Sequence, residues 1–196
     1  MNKFFIAWWT TLIAMTAQAE ELPLQLVGSI LMTEGGDKFY VGNYDTGEKY
    51  KITAGGDYAL NVGANYSVTP EFDLQITLGL HSSGTHGSNG NIDFTRYPLE
   101  MLGLMHISDV WRLGLGARSA LSAKTTSSGV AASLGSFYFK PSVGSVVELQ
   151  YLMNHQPGSR DKAAFIIRLV NESYTEKTTG LQFSGNHVGI GFAFYK

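Results

Sequence analysis

The chain has 196 residues with a formal net charge of −2, 44% hydrophobic residues, 12% aromatic residues and no cysteine. The absence of cysteine excludes a disulfide framework, a thiol nucleophile and thiolate metal ligands, and the small negative charge gives no reason to expect nucleic acid as a partner. The combination of 23 glycines with this many aromatic residues is unusual for helices and suits closely packed strands.

Residues 1–19 have the three parts of a secretory signal peptide. A basic start at Lys3 precedes an apolar run over residues 4–15, and residues 17–19 form a small-x-small cleavage site. The apolar run is shorter than the roughly 20 residues that span a bilayer as a helix. The sequence therefore predicts a cleaved signal peptide followed by one domain, residues 20–196.

Eight later segments alternate between apolar and polar residues with a period of two, the pattern of a β-strand with two different faces. In chain order they cover residues 24–32, 57–67, 73–81, 92–107, 111–119, 142–152, 163–174 and 188–195. The third segment, for example, sets Leu74 and Ile76 against Gln75. Pro98 in the fourth segment cannot donate a ladder hydrogen bond, which predicts a bulge or a place at the rim.

The connections between these segments alternate between short and long. Short breaks fall at Thr69-Pro70 and at Ser108-Asp109, and a moderate one covers residues 155–161, whereas the other four connections are longer. In an up-and-down barrel with both termini at one end, consecutive connections alternate between the two ends. The termini and short turns therefore share one end of the predicted barrel, the turn end, and the long loops share the opposite loop end.

Two barrel types contain eight two-faced strands: a soluble ligand carrier with its apolar face inward and a membrane barrel with its apolar face outward. Here the polar faces alternate glycine with charged residues, which suits a narrow lumen filled by side chains. Six charged residues on these faces form a predicted lumenal ionic network: Arg96, Glu100, Arg112, Arg118, Glu148 and Arg168.

The energetic cost of the opposite arrangement decides which face meets lipid. An arginine that faces the bilayer midplane costs about 2 to 4 kcal/mol, whereas inside the lumen Arg112 has Glu100 and Glu148 as expected partners. The sequence therefore predicts an all-β fold, an eight-stranded antiparallel up-and-down transmembrane β-barrel. Aromatic residues near the turn end predict an interfacial girdle made of Tyr66, Phe72, Trp111, Tyr151, Phe194 and Tyr195.

The last segment carries His187, Gly189, Phe192 and Phe194 in a polar-x-Gly-x-x-aromatic-x-aromatic pattern. With this segment, the chain resembles the small eight-stranded outer-membrane β-barrel proteins of Gram-negative bacteria, in the broad class of the outer-membrane protein A barrel and the OmpW-like proteins. The resemblance implies an outer-membrane location, contact with lipid and lipopolysaccharide, and an assembly signal at Gly189, Phe192 and Phe194 that the outer-membrane assembly machinery recognises. The chain departs from the family pattern in continuing beyond Phe194 by two residues.

Three functions fit this architecture. The leading hypothesis is a non-enzymatic barrel with a structural, surface or small-solute role, whose lumenal charges pair with one another. The second is a lipid A modifying hydrolase at the outer rim, because His81 and Ser83 resemble the His-x-Ser arrangement of a deacylase and a histidine can activate a serine. By register, however, both side chains continue the lumenal face. The third is a barrel whose loops admit a small apolar ligand.

No cofactor or metal site is predicted. His106 and His155 stand near the short turns without a carboxylate or a second histidine at ligand spacing. In the last segment, Gly191 faces the lumen, and its replacement by alanine is expected only to crowd the lumen.

Overall fold

The computed structural model describes residues 24–43, 49–87, 90–153 and 162–196, so the predicted signal peptide lies outside the described residues. Within these ranges the chain contains one short 3₁₀ helix (Ala132–Leu134), and no helix there is long and apolar enough to cross a membrane. The strands are β1 (Leu24–Gly35), β2 (Lys38–Asn43), β3 (Lys49–Thr53), β4 (Asp57–Thr69), β5 (Phe72–His86), β6 (Gly90–His106), β7 (Trp111–Gly129), β8 (Phe137–Pro141), β9 (Gly144–Met153), β10 (Lys162–Asn171), β11 (Ser173–Glu176), β12 (Gln182–Ser184) and β13 (His187–Tyr195).

Eight of these strands close into an antiparallel barrel. Around the ring the order is β1, β4, β5, β6, β7, β9, β10 and β13, and β13 pairs back with β1. Closure gives each of these eight strands a neighbour on both sides, so the described ring has no free edge. The predicted eight-stranded up-and-down topology is confirmed.

The strands extend further at the loop end than the sequence pattern predicts. β7 continues to Gly129 through residues predicted to be a loop, and its outer half pairs with β8. β11 pairs with β8, and β12 pairs with β11, so the sheet extends beyond the barrel ring on this side of the loop end. The prediction that these residues form long loops was wrong here, because the outer part of β7 is rich in serine and threonine and β8, β11 and β12 are only three to five residues long, too short to show a clear period of two.

The first long loop also contains regular structure. β2 and β3 form an antiparallel hairpin, and the base of this hairpin is tied to the barrel through Asp37. The amide of Asp37 donates to the carbonyl oxygen of Ser184 at 2.7 Å, and the Ser184 amide donates to Asp37 Oδ2 at 2.7 Å. As a result Ile52 and Ala54 are fully buried in the barrel mouth.

Apolar side chains form a belt around the outside of the barrel. Val62 is 65% exposed, whereas its neighbour Asn61 is 7% exposed and faces the lumen. The belt consists of residues that alternate in this way on all eight strands: Leu26, Ile30, Leu60, Val62, Ile76, Leu78, Leu99, Met101, Leu115, Val147, Ile167, Leu169, Ile190 and Phe192. An apolar surface of this extent is not stable in water, so the belt faces lipid and the predicted orientation of the faces is confirmed.

Aromatic side chains ring the turn end of the belt. The exposed members are Tyr66, Phe72, Trp111, Tyr151 and Phe194, and the ring centroids of Trp111 and Tyr151 lie 5.0 Å apart. Tyr195 does not belong to this girdle, and its assignment there was wrong. Its side chain is 2% exposed and lies in the lumen, because adjacent residues of a strand face opposite sides and Phe194 takes the outer position.

Pro98 lies at an irregularity in the wall. The pairing of β6 with β7 shifts register between Arg96 and Pro98. The shift accommodates a residue that has no amide hydrogen to donate, so the predicted bulge is confirmed.

Candidate functional site

The six charged residues predicted for the lumen are all buried inside the barrel, and the structure adds two carboxylates to them. The eight residues, here called the lumenal network, are Asp73, Arg96, Glu100, Arg112, Arg118, Glu148, Arg168 and Glu172. Among the described residues, four arginines therefore face four carboxylates. Their formal charges cancel within the lumen.

Arg168 on β10 is the centre of the lumenal network. Its Nη1 donates to Glu100 Oε2 at 2.8 Å, and its Nε donates to Glu148 Oε2 at 2.6 Å. Arg118 Nη1 donates to the other oxygen of Glu100 at 3.0 Å. Because Glu100 is shared by two guanidinium groups and Arg168 by two carboxylates, the pairs form a continuous charge-assisted chain across the lumen.

Arg112 forms the part of the lumenal network nearest the turn end. The expectation that it pairs with Glu100 or Glu148 was wrong: its Nη1 donates to Asp73 Oδ2 at 3.0 Å and its Nη2 to Gln150 Oε1 at 2.5 Å. The register of β5, β6 and β7 decides this, since Asp73 pairs with Leu104 and Leu104 pairs with Gly114, two residues from Arg112. The Arg112 guanidinium also lies 4.4 Å from the ring centroid of Tyr195, a cation–π contact.

His106 is not isolated, which corrects the sequence interpretation. Its Nε2 lies 3.0 Å from Asp73 Oδ2, the same oxygen that accepts from Arg112. β5 and β6 are antiparallel neighbours in the ring, so their pairing brings residues 33 positions apart together.

Glu172, between β10 and β11, is the second carboxylate, besides Asp73, that the predicted network lacked. Its Oε2 lies 3.0 Å from Arg118 Nε, and its Oε1 lies 3.9 Å from Arg96 Nη1. The sequence did contain a signal for Glu172: the residues of this strand that face the lumen include Arg168 and Val170, and the same period of two extends to residue 172. Arg96 also donates to the carbonyl oxygen of Ala54 at the base of the hairpin.

His81 and Ser83 both lie in the lumen, where each has its own hydrogen-bond partners. His81 Nε2 lies 2.9 Å from Thr33 Oγ1 and 3.1 Å from the carbonyl oxygen of Gly56. Ser83 Oγ accepts from the amide of Thr53 at 3.3 Å. His81 is fully buried and Ser83 is 1% exposed, so neither side chain reaches the lipid surface where lipid A would lie.

His81, Glu172 and His187 form a buried group whose ligand atoms lie within 4.8 Å of one another. This spacing suits a metal ion, but the surrounding charges do not. Arg118 and Arg96 lie beside the Glu172 carboxylate and already compensate its charge. A divalent cation would add positive charge to a lumen whose charges cancel without it, at a place that water does not reach. The surrounding charges therefore favour ion pairing of Glu172 with the arginines over a metal site.

Aromatic rings fill the barrel mouth above the lumenal network. We call Phe39, Phe94, Phe139, Tyr174 and Phe183 the aromatic cluster. The Phe39 ring centroid lies 4.6 Å from that of Phe94, 5.3 Å from that of Phe139 and 4.7 Å from that of Phe183. These residues come from five different strands, and the β2–β3 hairpin inserts Phe39 among the others.

A cavity of about 190 Å³ opens beside the aromatic cluster at the loop end, and we call it the mouth cavity. Its apolar wall consists of Phe39, Tyr40, Phe137, Phe139, Leu181 and Phe183. Burial raises the pKa of the Tyr40 hydroxyl, which stays neutral at physiological pH. A dry apolar cavity of roughly 150 Å³ can hold a molecule of the size of benzene, so the mouth cavity has room for a small apolar ligand.

Comparisons with known proteins concern the fold. No family model and no curated protein matches the sequence. Neisserial surface protein A aligns with 9% identity over 87% of this chain and 95% of that chain, with a TM-score of 0.50. The attachment invasion locus protein Ail of Yersinia pestis has 14% identity over 88% and 97%, with a TM-score of 0.44. The outer membrane protein OprG of Pseudomonas aeruginosa has 13% identity over 88% and 95%, with a TM-score of 0.43.

These identities are too low to transfer a function. The closed ring of eight antiparallel strands agrees with the fold alignment to Neisserial surface protein A, and the exposed apolar belt is the surface that faces lipid. The chain is a transmembrane β-barrel with the fold of the small eight-stranded outer-membrane proteins of Gram-negative bacteria.

Proposed function

We propose that the chain is a non-enzymatic outer-membrane barrel that is closed to ions and binds small apolar molecules at its loop end. The observation that supports this proposal is a contrast between two parts of the barrel interior, the lumen within the belt and the mouth cavity at the loop end. Within the belt, the lumen is filled by charged side chains that pair with one another, whereas the mouth cavity above it is lined by aromatic rings. The long loops then lie on the cell surface and present the mouth cavity to the exterior.

The lumenal network supports a closed barrel. An eight-stranded barrel is just wide enough for its own side chains, and here Arg168 crosses between Glu100 on β6 and Glu148 on β9. A passing hydrated ion would have to break these charge-assisted bonds and leave buried charges without partners. A small-solute role is therefore assigned to the mouth cavity rather than to a channel.

Contact with lipid and lipopolysaccharide is part of the same proposal. The belt supplies the surface that lipid chains cover, and the exposed strand extensions above it lie at the level of the outer-leaflet head groups. Recognition of Gly189, Phe192 and Phe194 by the assembly machinery also belongs to the proposal. Phe192 is exposed on the belt and Phe194 in the aromatic ring at its turn end, whereas Gly189 faces the lumen.

A binding measurement tests the apolar site. We expect 3,3-dimethylbutan-1-ol, a small neutral and water-soluble molecule, to bind the wild-type barrel, and Phe137→Ala to weaken binding because it removes a ring from the wall of the mouth cavity. Ligand-detected NMR in maltoside detergent gives the affinity. Tyr138→Ala is the matched control, since Tyr138 is the neighbouring aromatic residue and does not line the mouth cavity. Equal loss in both variants, or no binding to the wild type, would contradict the proposal.

The hydrolase alternative makes a different prediction. Because His81 and Ser83 face the lumen and bond to Thr33 and Thr53 instead of to each other, we expect His81→Ala and Ser83→Ala to leave lipid A unchanged. Mass spectrometry of lipid A from cells that express each variant provides the measurement, with the empty vector as the control. Loss of acyl chains in wild-type cells that depends on Ser83 would favour the hydrolase.

A further inference from the structure

The wall of the mouth cavity contains one ionised side chain, Glu176, at the end of β11. Its carboxylate accepts hydrogen bonds from Thr179 Oγ1 at 2.7 Å, from the Thr178 amide at 2.9 Å and from the Thr179 amide at 2.5 Å. These donors lower the pKa of Glu176 to about 2, with the Thr179 hydroxyl as the largest contributor. The carboxylate is therefore charged at neutral pH.

The negative charge of Glu176 is held in place but not neutralised. All three hydrogen-bond donors to its carboxylate are uncharged groups, and the wall of the mouth cavity contains no lysine, arginine or histidine. The next residue, Lys177, is exposed and does not line the mouth cavity. Below the aromatic cluster, the guanidinium of Arg96 lies 3.9 Å from Glu172, which offsets its charge.

The aromatic wall adds a second attraction for positive charge. Phe39, Tyr40, Phe137, Phe139 and Phe183 all line the mouth cavity. The faces of aromatic rings carry negative electrostatic potential, and several such rings around one site bind alkylammonium groups. A neutral ligand gains only apolar burial from the same wall, whereas an organic cation gains burial, ring contacts and attraction to the carboxylate.

We propose that the mouth cavity binds small organic ammonium ions in preference to neutral molecules of the same shape, with Glu176 and the aromatic wall as the selective elements. This inference rests on the proposed apolar ligand site and names its ligand class. The cavity volume of about 190 Å³ accepts a trimethylammonium group, and its opening at the loop end lets a water-soluble cation enter without crossing lipid.

Choline and 3,3-dimethylbutan-1-ol are the matched probes, because they have nearly the same shape and only choline is charged. In a maltoside detergent without phosphocholine groups, we expect wild-type protein to bind choline at least about tenfold more tightly than the alcohol, because the Glu176 carboxylate attracts the cation and the aromatic faces add to that attraction. Glu176→Gln keeps a hydrogen-bond acceptor for the threonine amides and removes the charge. We expect this variant to lose most of the preference for choline while its affinity for the alcohol stays unchanged.

Glu34→Gln is the control, since Glu34 is an exposed loop-end carboxylate outside the mouth cavity that pairs with Lys51. Equal binding of both probes to wild type would overturn the cation preference and leave the apolar site standing, whereas failure of both probes would remove the site itself. A preference for choline that survives Glu176→Gln would overturn the role of Glu176. If that variant does not fold, sodium chloride gives the second test, because added salt weakens only a charge-driven preference.

Discussion

Arg168→Ala is expected to lower the free energy of unfolding by about 3 to 5 kcal/mol, the cost of breaking a buried ion pair by removing one partner. Arg168 is 2% exposed and donates to Glu100 and Glu148 at once. Its removal leaves Glu148 without a guanidinium and leaves Glu100 with only Arg118. Urea titration in lipid nanodiscs, followed by fluorescence of Trp111 at the turn end, gives the unfolding free energy.

Arg112→Ala provides the comparison within the lumenal network. Its carboxylate partner Asp73 keeps a contact to His106 Nε2 at 3.0 Å, so we expect a smaller loss than for Arg168→Ala. Arg168→Lys keeps one charge but not the forked geometry, and an intermediate loss is expected. An unchanged unfolding midpoint for Arg168→Ala would show that the central ion pairs are not desolvated.

Planar-bilayer recordings of the wild-type protein test directly whether the lumen is closed, since a closed lumen conducts no ions.

Phe192→Asp is expected to remove most of the folded protein from the outer membrane. Phe192 lies on the belt, and its ring centroid is 5.7 Å from that of Phe165. The variant loses this contact, puts a charge toward lipid where charged groups are unfavourable, and changes the predicted assembly signal. The amount of heat-modifiable protein in the membrane fraction, measured on unboiled gels, gives the result.

Phe192→Leu is the control for this experiment, because leucine keeps the lipid face apolar. Gly191→Ala is not a suitable control, and the expectation that this substitution only crowds the lumen was wrong. A Cβ at residue 191 would contact the carbonyl oxygen of Ile30 and lie 2.7 Å from the Cα of Leu31, so β1 and β13 would have to separate. Equal membrane yields for Phe192→Asp and Phe192→Leu would show that Phe192 does not face lipid.

The period of two in the sequence was sufficient to predict the barrel strands and which face of each strand points to lipid. A strand turns successive side chains to opposite sides, and a charge on the lipid side is costly, so the alternation around Arg168 and Ile190 determined which residues line the lumen and which form the belt. The same local rule failed for the extension of β7 and for the β2–β3 hairpin. There the strands form because neighbouring strands offer backbone partners, which a local pattern does not report.

Only the tertiary structure decided which groups meet. The sequence placed Arg112 in the lumen, but its pairing with Asp73 depends on the register of β5 through β7 around the ring. The mouth cavity brings together Phe39, Phe137 and Glu176 from separate segments at the loop end. The sequence by itself thus determined the faces of the strands, because facing is a property of one strand. Barrel closure and loop packing decided the ion pairs and the mouth cavity, because these are contacts between residues far apart in the chain.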